Sequence, residues 1–342
     1  MNLNSRIDLL TELNKKIDTQ SAKYKQIREE AYIANSWFIP EYIDLAVTSI
    51  KKYFLDEVKL KKWISKYKIK DQSTDKSTGL ILAGNIPLVG FHDLICVFVS
   101  GQKAKIKLSS KDEVLMKFIL GLMEEIDPAI TDIINFVDRL TGIDSVIATG
   151  SNNSYRYFDY YFNKIPNLIR KNRNSIAILR GDENECQLKA LADDIQIYFG
   201  LGCRNVSKIF VPKGYDFQSL IRILDENPIL RHHNKYMNNF EYNLAISLIN
   251  KDNILQGESV FFKEDIAYIS RIAVLNFEYY EDVEDLRNRF INERDNIQIL
   301  CTVSGEMFGF DFEMKFGNSQ KPKLWDYADG VDTMEFLVNL KA

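Results

Sequence analysis

The strongest constraint on this chain is an alternation that begins at Gly79. Short apolar runs ("GLILA", "KAKIKL", "SVIAT", "SIAIL", "SKIFVP", "IQILCTV") are separated by amphipathic stretches such as "DEVLMKFILGLMEEI" and "QLKALADDIQIYF". Strands that alternate with helices of roughly 10–15 residues indicate parallel βαβ units, and so an α/β fold with open sheets. Further helices are predicted over "LVGFHDLICVFVSG", "SYRYFDYYF", "DFQSLIRILDEN", "NKYMNNFEYNLAISLI" and "DVEDLRNRFINE", and strands over "VFF" and "RIAVLNFEYY". Ahead of the alternation, residues 1 to about 68 read as helical. Ile7, Leu10, Leu13 and Ile17 share one face, and a second amphipathic run follows Pro40, a residue suited to a first turn. The ending, "GNSQKPKLWDYADGVDTMEFLVNLKA", reads as irregular.

At 342 residues and 46% hydrophobic, the chain is long and apolar enough for two cores. The expected domains are 1–175, helices plus the first block of βαβ units, and 176–320, the block around Cys203, with a tail over 321–342 that packs back on the core. A formal charge of -4 gives no bulk attraction to nucleic acid. The basic run "KLKKWISKYKIK" (Lys59 to Lys70) reads as a solvated helix face, with a landing strip for a phosphorylated ligand as the lesser reading. Cys96, Cys186, Cys203 and Cys301 lack metal or disulfide spacing, and the start of the chain lacks a signal peptide's apolar core, so a cytoplasmic location is expected. The three histidines form no zinc pattern. "GLILAGNIPLVGFHDLICVFVSG" is apolar enough to suggest a membrane span, but Asn85, Pro87, His92 and Asp93 lie near its middle. A central Asp alone costs about 2.5–3.5 kcal/mol there, so a strand, a loop and a buried helix are expected instead.

Four stretches carry candidate chemistry. In "FGLGC", Cys203 stands among small residues between a helix and a strand, where a thiolate can meet a ligand; the bland reading is a buried thiol. In "AGNIP", Asn85 follows a buried strand, at the sheet edge where open α/β folds bind ligands, and its amide suits an oxyanion; otherwise it only ends the strand. In "KIKLSSKD", Lys107 ends a strand and Ser109–Asp112 open a helix, which suits phosphate or ribose, although an N-cap with a solvated lysine looks the same. In "ATGSNNSYRYF", Thr149, Gly150 and Ser151 make a strand-to-helix turn suited to an anion, as many such turns are. No GxGxxG is present. "RHHNKYMNN" offers His233 or Tyr236 for proton transfer, against a plainer reading as cap and helix-face residues.

In this order and approximate spacing, the four stretches resemble the aldehyde dehydrogenase superfamily, with its Asn-x-Pro, Lys-x-Ser, Thr-Gly-Ser and Gly-x-x-Cys segments and a basic residue five after the cysteine, here Lys208. The closer resemblance, over residues 35 to 342, is to the long-chain acyl-CoA reductases of bacterial bioluminescence, with which the ending "PKLWDYADGVDTMEFL" is also shared. The resemblance implies an aldehyde dehydrogenase-like fold with two Rossmann-like sheets. It implies Cys203 as nucleophile and Asn85 as oxyanion donor, with Lys107, Ser110, Thr149, Gly150 and Ser151 binding the cofactor. The implied reaction is reduction of a fatty acyl thioester to the aldehyde through a cysteine-bound acyl group. The implied partners are acyl-CoA or acyl-carrier protein, an acyl-activating or acyl-transferring enzyme, and a second copy of the chain.

Departures sharpen the expectation. Hydrolytic members carry a water-activating Glu where "IAILRGDEN" has Leu179 or Arg180, with Asp182 and Glu183 close by. The hairpin that builds oligomers is shortened to "KIKDQSTDKST", and the glutamate that contacts the nicotinamide ribose has no clear counterpart near Ile269. Members restricted to NAD tend to carry an acid three residues after the lysine. Ser110 stands there, beside Lys107 and Lys111, so NADPH is expected over NADH. The alternatives are aldehyde oxidation and a non-catalytic acyl- or nucleotide-binding subunit.

Overall fold

A computed structural model of the chain describes residues 1–150, 152–171 and 173–340. It divides into two compact units, Met1–Asn172 with Pro322–Ala342, and Arg173–Lys321.

The first unit opens with four helices: α1 (Leu3–Lys16), α2 (Ala22–Ala34), α3 (Pro40–Tyr53) and α4 (Glu57–Ile64). Asn2, Ser21 and Asp56 cap three of them by accepting from backbone N–H groups. Pro40 takes the first turn of α3. Ile7, Leu10 and Leu13 of α1 are buried together with Ile17, as their spacing predicts. There follow β1 (Ser77–Ile81), α5 (Phe91–Ser100), β2 (Lys103–Lys107), α6 (Glu113–Ile126), β3 (Ile134–Phe136), β4 (Ser145–Thr149), α7 (Asn152–Phe162) and β5 (Asn167–Arg170).

The five strands form a parallel sheet in the order β3-β2-β1-β4-β5, so the winding reverses between β1 and β4. The edge strands β3 and β5 are too short for their apolar pattern to announce them. Helix α5 is buried on nearly every side, which explains its membrane-like composition. It begins at Phe91 rather than Leu88, because Leu88 is left-handed at φ 55. No helix among the described residues is long and apolar enough to cross a membrane.

The second unit contains β6 (Asn174–Ile178), α8 (Glu185–Gln196), β7 (Val206–Pro212), α9 (Gln218–Asp225), α10 (Pro228–His232), α11 (Asn234–Asn250), β8 (Ile254–Gln256), β9 (Phe261–Glu264), β10 (Val274–Tyr280), α12 (Val283–Asn292), β11 (Ile297–Thr302) and β12 (Glu313–Lys315). Its seven strands are ordered β12-β11-β6-β7-β10-β9-β8, all parallel except the β8–β9 pair. The predicted "RIAVLNFEYY" strand starts only at Val274, because Ala273 is left-handed at φ 64. Ile176, Ile178, Phe210, Phe290 and Leu300 lead an apolar cluster on this sheet.

The tail read as irregular contains a helix, α13 (Thr333–Val338), capped by Asp332. Its short apolar set, Met334 and Leu337, is buried in the first unit's core. Backbone carbonyls of the tail also accept from first-unit side chains: Leu337 from Gln102 Nε2 at 2.9 Å and Leu340 from Lys76 Nζ at 2.9 Å. The basic run forms the exposed face of α4 and the turn after it, with Lys62 and Lys66 over the Trp325 ring.

Candidate active site

In the first unit, the sequence-predicted residues gather at the carboxyl ends of adjacent strands. Asn85 follows β1, Lys107 ends β2 with Ser110 just beyond, and Thr149 ends β4 with Gly150 next. The β1–β4 neighbourhood is the topological switch point, where βα turns diverge to opposite faces and open α/β sheets bind ligands. Ser151 lies outside the described residues.

Asn85 is exposed, in a loop fixed from both sides. A Cβ on Gly84 would lie 2.5 Å from Ser109 Oγ, so only glycine lets the turns after β1 and β2 touch there. Beyond Pro87, the Leu88 N–H donates to Asp112 Oδ2 at 2.7 Å. Lys107 and Ser110 are exposed. The stretch expected to open α6 is instead a turn. Ser109 C=O accepts from Asp112 N–H at 3.0 Å and Ser109 Oγ from Lys111 N–H at 3.3 Å, so the helix starts at Glu113.

Thr149 is tied to a charged cluster that the sequence reading missed. Arg170 and Asp93 are both buried and form a two-bonded ion pair, Nη1 to Oδ2 at 2.5 Å and Nη2 to Oδ1 at 2.7 Å. Arg170 also donates to Thr149 Oγ1 at 3.4 Å and to Thr333 Oγ1 of the tail at 3.0 Å. Burial works against the guanidinium charge, but the Asp93 carboxylate outweighs it and holds the Arg170 pKa above its ordinary value. One guanidinium thus links β5, α5, the end of β4 and the tail.

In the second unit, Cys203 is half-buried, in the turn that enters β7. This is the amino edge of the sheet: Cys203 C=O accepts from Ser175 Oγ, at the start of β6, at 2.9 Å. The helix predicted to run to Phe199 stops at Gln196. Tyr198, Phe199 and Gly200 then form a left-handed turn at φ 57, 58 and 70. Two non-glycine residues there are strained by about 1–2 kcal/mol each and persist because the surroundings hold them. The buried Phe199 ring packs on His233 at 4.3 Å and Tyr236 at 5.7 Å. His233 itself caps α11, its Nδ1 accepting from Tyr236 N–H, which is the plainer of its two readings.

Asn205 is also missed. Its buried amide accepts from Gly202 N–H at 2.9 Å and donates to the carbonyls of Ile197 at 2.8 Å and Asp194 at 3.1 Å. A single side chain closes the open end of α8 and clamps the turn that carries Cys203.

Of the other thiols, Cys96 and Cys301 are fully buried, and burial pushes both well above the ordinary thiol pKa. Cys186 is exposed at the start of α8. Lys208, the basic residue five after Cys203, is buried in β7, where Nζ donates to Glu278 Oε2 at 2.6 Å and Ile266 C=O at 2.8 Å. It supports the sheet interior. Leu179 and Arg180, the expected counterparts of the water-activating Glu, follow β6 at its carboxyl end, away from Cys203; Leu179 is fully buried, its N–H donating to Phe210 C=O, and Arg180 is exposed. The nearby Glu183 accepts from Arg180 N–H at 2.5 Å and Gly181 N–H at 3.0 Å, one on each carboxylate oxygen. Among the described residues no cluster of His, Cys, Asp or Glu is arranged to hold a metal.

No protein family and no curated protein matches the sequence. Solved structures do match the fold. An aldehyde dehydrogenase from Physcomitrella patens in complex with succinate aligns over 88% of this chain and 73% of its own, at 12% identity and TM-score 0.67. An aldehyde dehydrogenase from Mycobacterium tuberculosis complexed with NAD+ aligns over the same shares, at 12% identity and TM-score 0.64. Lactaldehyde dehydrogenase from Escherichia coli aligns over 88% and 74%, at 14% identity and TM-score 0.63. The likeness is one of fold, and this chain has the aldehyde dehydrogenase fold.

Proposed function

We propose that the chain reduces a fatty acyl thioester, carried by CoA or an acyl-carrier protein, to the aldehyde with NADPH, through an acyl group held on Cys203. The Cys203 thiolate attacks the thioester carbonyl carbon, the carbonyl electrons move to oxygen, and the Asn85 amide donates to that oxyanion. As the C=O re-forms, the bond to the carrier sulfur breaks and the carrier leaves as a thiolate, while the acyl group stays on Cys203. Removing one such oxyanion donor typically costs about 10²–10³ in rate.

Lys107, Ser110, Thr149 and Gly150 would hold the cofactor at the first unit's sheet edge. The donor set fits: a cation and hydroxyls occupy the carboxyl edge at the switch point, and residues 107–111 include no carboxylate to repel a 2′-phosphate. When bound, the nicotinamide would supply a hydride, hydrogen and electron pair together, which takes the acyl carbon to the aldehyde oxidation level. Collapse of the reduced adduct then frees the aldehyde and returns the Cys203 thiolate.

The observation that carries this reading is the lack of a carboxylate in the two segments that build the cysteine's edge. Residues 173–178 and 197–207, which build the edge where Cys203 lies, contain no Asp or Glu, and Asp182 and Glu183 follow β6 at its other end. A thioester on Cys203 therefore survives to be reduced rather than hydrolysed. The test is intact mass after mixing the chain with acyl-CoA and no NADPH. A gain of one acyl chain, absent in Cys203→Ala, is expected. The same gain in that variant would move the nucleophile elsewhere, and acid released from aldehyde without free CoA would favour the oxidising direction.

A further inference from the structure

Asp112 immediately precedes α6, at the position where an aspartate ordinarily caps its own helix. It makes no such bond. Its side chain reaches instead to the turn after β1, where Oδ2 accepts the Leu88 N–H, while Oδ1 is buried without a hydrogen-bond partner. The residue is only 4% exposed. Leu88 is the left-handed residue three positions after Asn85, and Pro87 stiffens the link between them.

We propose that Asp112 is a positioning residue: its carboxyl group latches Leu88, and so sets the course of the loop that presents Asn85. The inference rests on the acyl-reductase reading for its kinetic consequence and on geometry alone for the latch. A buried carboxylate with one oxygen unpartnered is a poor anion, so the group works as the neutral acid, accepting the Leu88 N–H on its carbonyl oxygen. Burial pushes its pKa up to about 8, opposed only by the Leu88 N–H. Residues 82–90, packed against it, contain no ionisable side chain. On its own segment the charged neighbours are Lys111, which is exposed, and Glu113, which pairs with Lys117. From the α2–α3 connection, Asn35 donates to the Lys111 carbonyl.

Asp112→Asn keeps the shape and the acceptor and removes the titration; Asp112→Ala removes the latch. The first readout is urea unfolding of the full chain between about pH 5 and 8. A folded pKa near 8 lies above the unfolded value of about 3.9, so the folded state holds a proton that the unfolded state has lost, and stability falls as pH rises through this window. The fall is expected to be shallower in Asp112→Asn, and equal slopes would overturn the neutral-acid form of the latch; Asp112→Ala is expected to lower the urea midpoint, and a midpoint equal to the parent's would overturn the latch itself.

The second readout is the single-turnover rate of Cys203 acylation. Asp112→Ala is expected to slow it about 10- to 100-fold, the scale of a small misplacement, with Asp112→Asn within about threefold of the parent. In an Asn85→Ala background, Asp112→Ala is expected to add less than about twofold, because it acts through a group already removed. An undiminished loss in that background, or an Asp112→Asn variant as slow as Asp112→Ala, would overturn the positioning role. A parent chain that never acylates would instead refute the reductase reading, and the unfolding readouts alone would then decide the latch.

Discussion

The two units present their candidate groups at opposite ends of their strands. In the first, Asn85, Lys107, Ser110 and Thr149 lie at carboxyl ends around the reversal between β1 and β4. The parallel fold makes a ligand edge there without special local structure. In the second, Cys203 lies at the amino edge, beside the start of β6 and ahead of β7. Nothing generic about a parallel sheet prepares that edge. The chain builds it locally, with a left-handed turn, the Phe199–His233 stack and the Asn205 clamp. The first region thus depends on long-range ties between elements, and the second mainly on backbone shape between Asp194 and Asn205, with the Phe199–His233 stack added from the start of α11.

Arg170→Met tests the long-range side and has the largest expected effect. It strands the Asp93 carboxylate in a buried setting and releases both Thr149 and Thr333. Breaking one partner of a buried pair costs about 3–5 kcal/mol. Amide exchange is expected to quicken around residues 145–149 and 333–338 while residues 198–206 keep their protection. Faster exchange in both regions would show that the two do not depend on separate devices.

Asn205→Ala tests the local side. It leaves the Ile197 and Asp194 carbonyls and the Gly202 N–H without their side-chain partner. The expected loss is about 1–3 kcal/mol, with the exchange pattern reversed: faster at 198–206 and unchanged at 145–149. Urea unfolding measures the loss. A stability equal to the parent would mean that water replaces the clamp.

These devices differ in how far the sequence discloses them. The strand–helix alternation and the first unit's edge residues are legible because burial and strand period act over short spans. The edge strands β3 and β5 are not, since three or four residues carry too little pattern. Asp93 and Arg170 stand far apart in sequence; the stretch around Asp93 reads as a buried helix, but nothing in it names a partner for the charge, and only the fold shows that Arg170 neutralises it in the interior. "IQIYFGLG" continues the apolar periodicity of α8, so a helix through Phe199 is the natural expectation. The turn goes left-handed because Asn205, Phe199 and His233 together outweigh local preference. The tail helix α13 is short and depends on the pocket it fills rather than on its own propensity.

Ser110→Glu probes the exposed edge of the first unit, where charge rather than packing sets the outcome. A carboxylate there would repel a 2′-phosphate near Lys107 and Lys111. The ratio of kcat/KM for NADPH over NADH is expected to fall about tenfold, equivalent to about 1.4 kcal/mol. Unchanged selectivity would remove Ser110 from the cofactor site, and the fold would be unaffected either way because the side chain is exposed.

The smallest expected effect separates the two regions by sign. Gly121 lies inside α6 of the first unit, with no atom within 4 Å of the place a Cβ would take. Gly121→Ala is therefore expected to stabilise by about 0.5–1 kcal/mol, since alanine loses less backbone freedom in a helix. Gly200 is left-handed at φ 70, and a Cβ there would stand 3.3 Å from the Ile195 carbonyl oxygen. Gly200→Ala is expected to destabilise by about 1 kcal/mol and to slow Cys203 acylation by shifting the turn that precedes it. Urea midpoints moving in opposite directions would support a second unit shaped by backbone conformation. A shift of the same sign in both would mean that the turn tolerates an ordinary residue, and that Asn205 holds the cysteine segment without it.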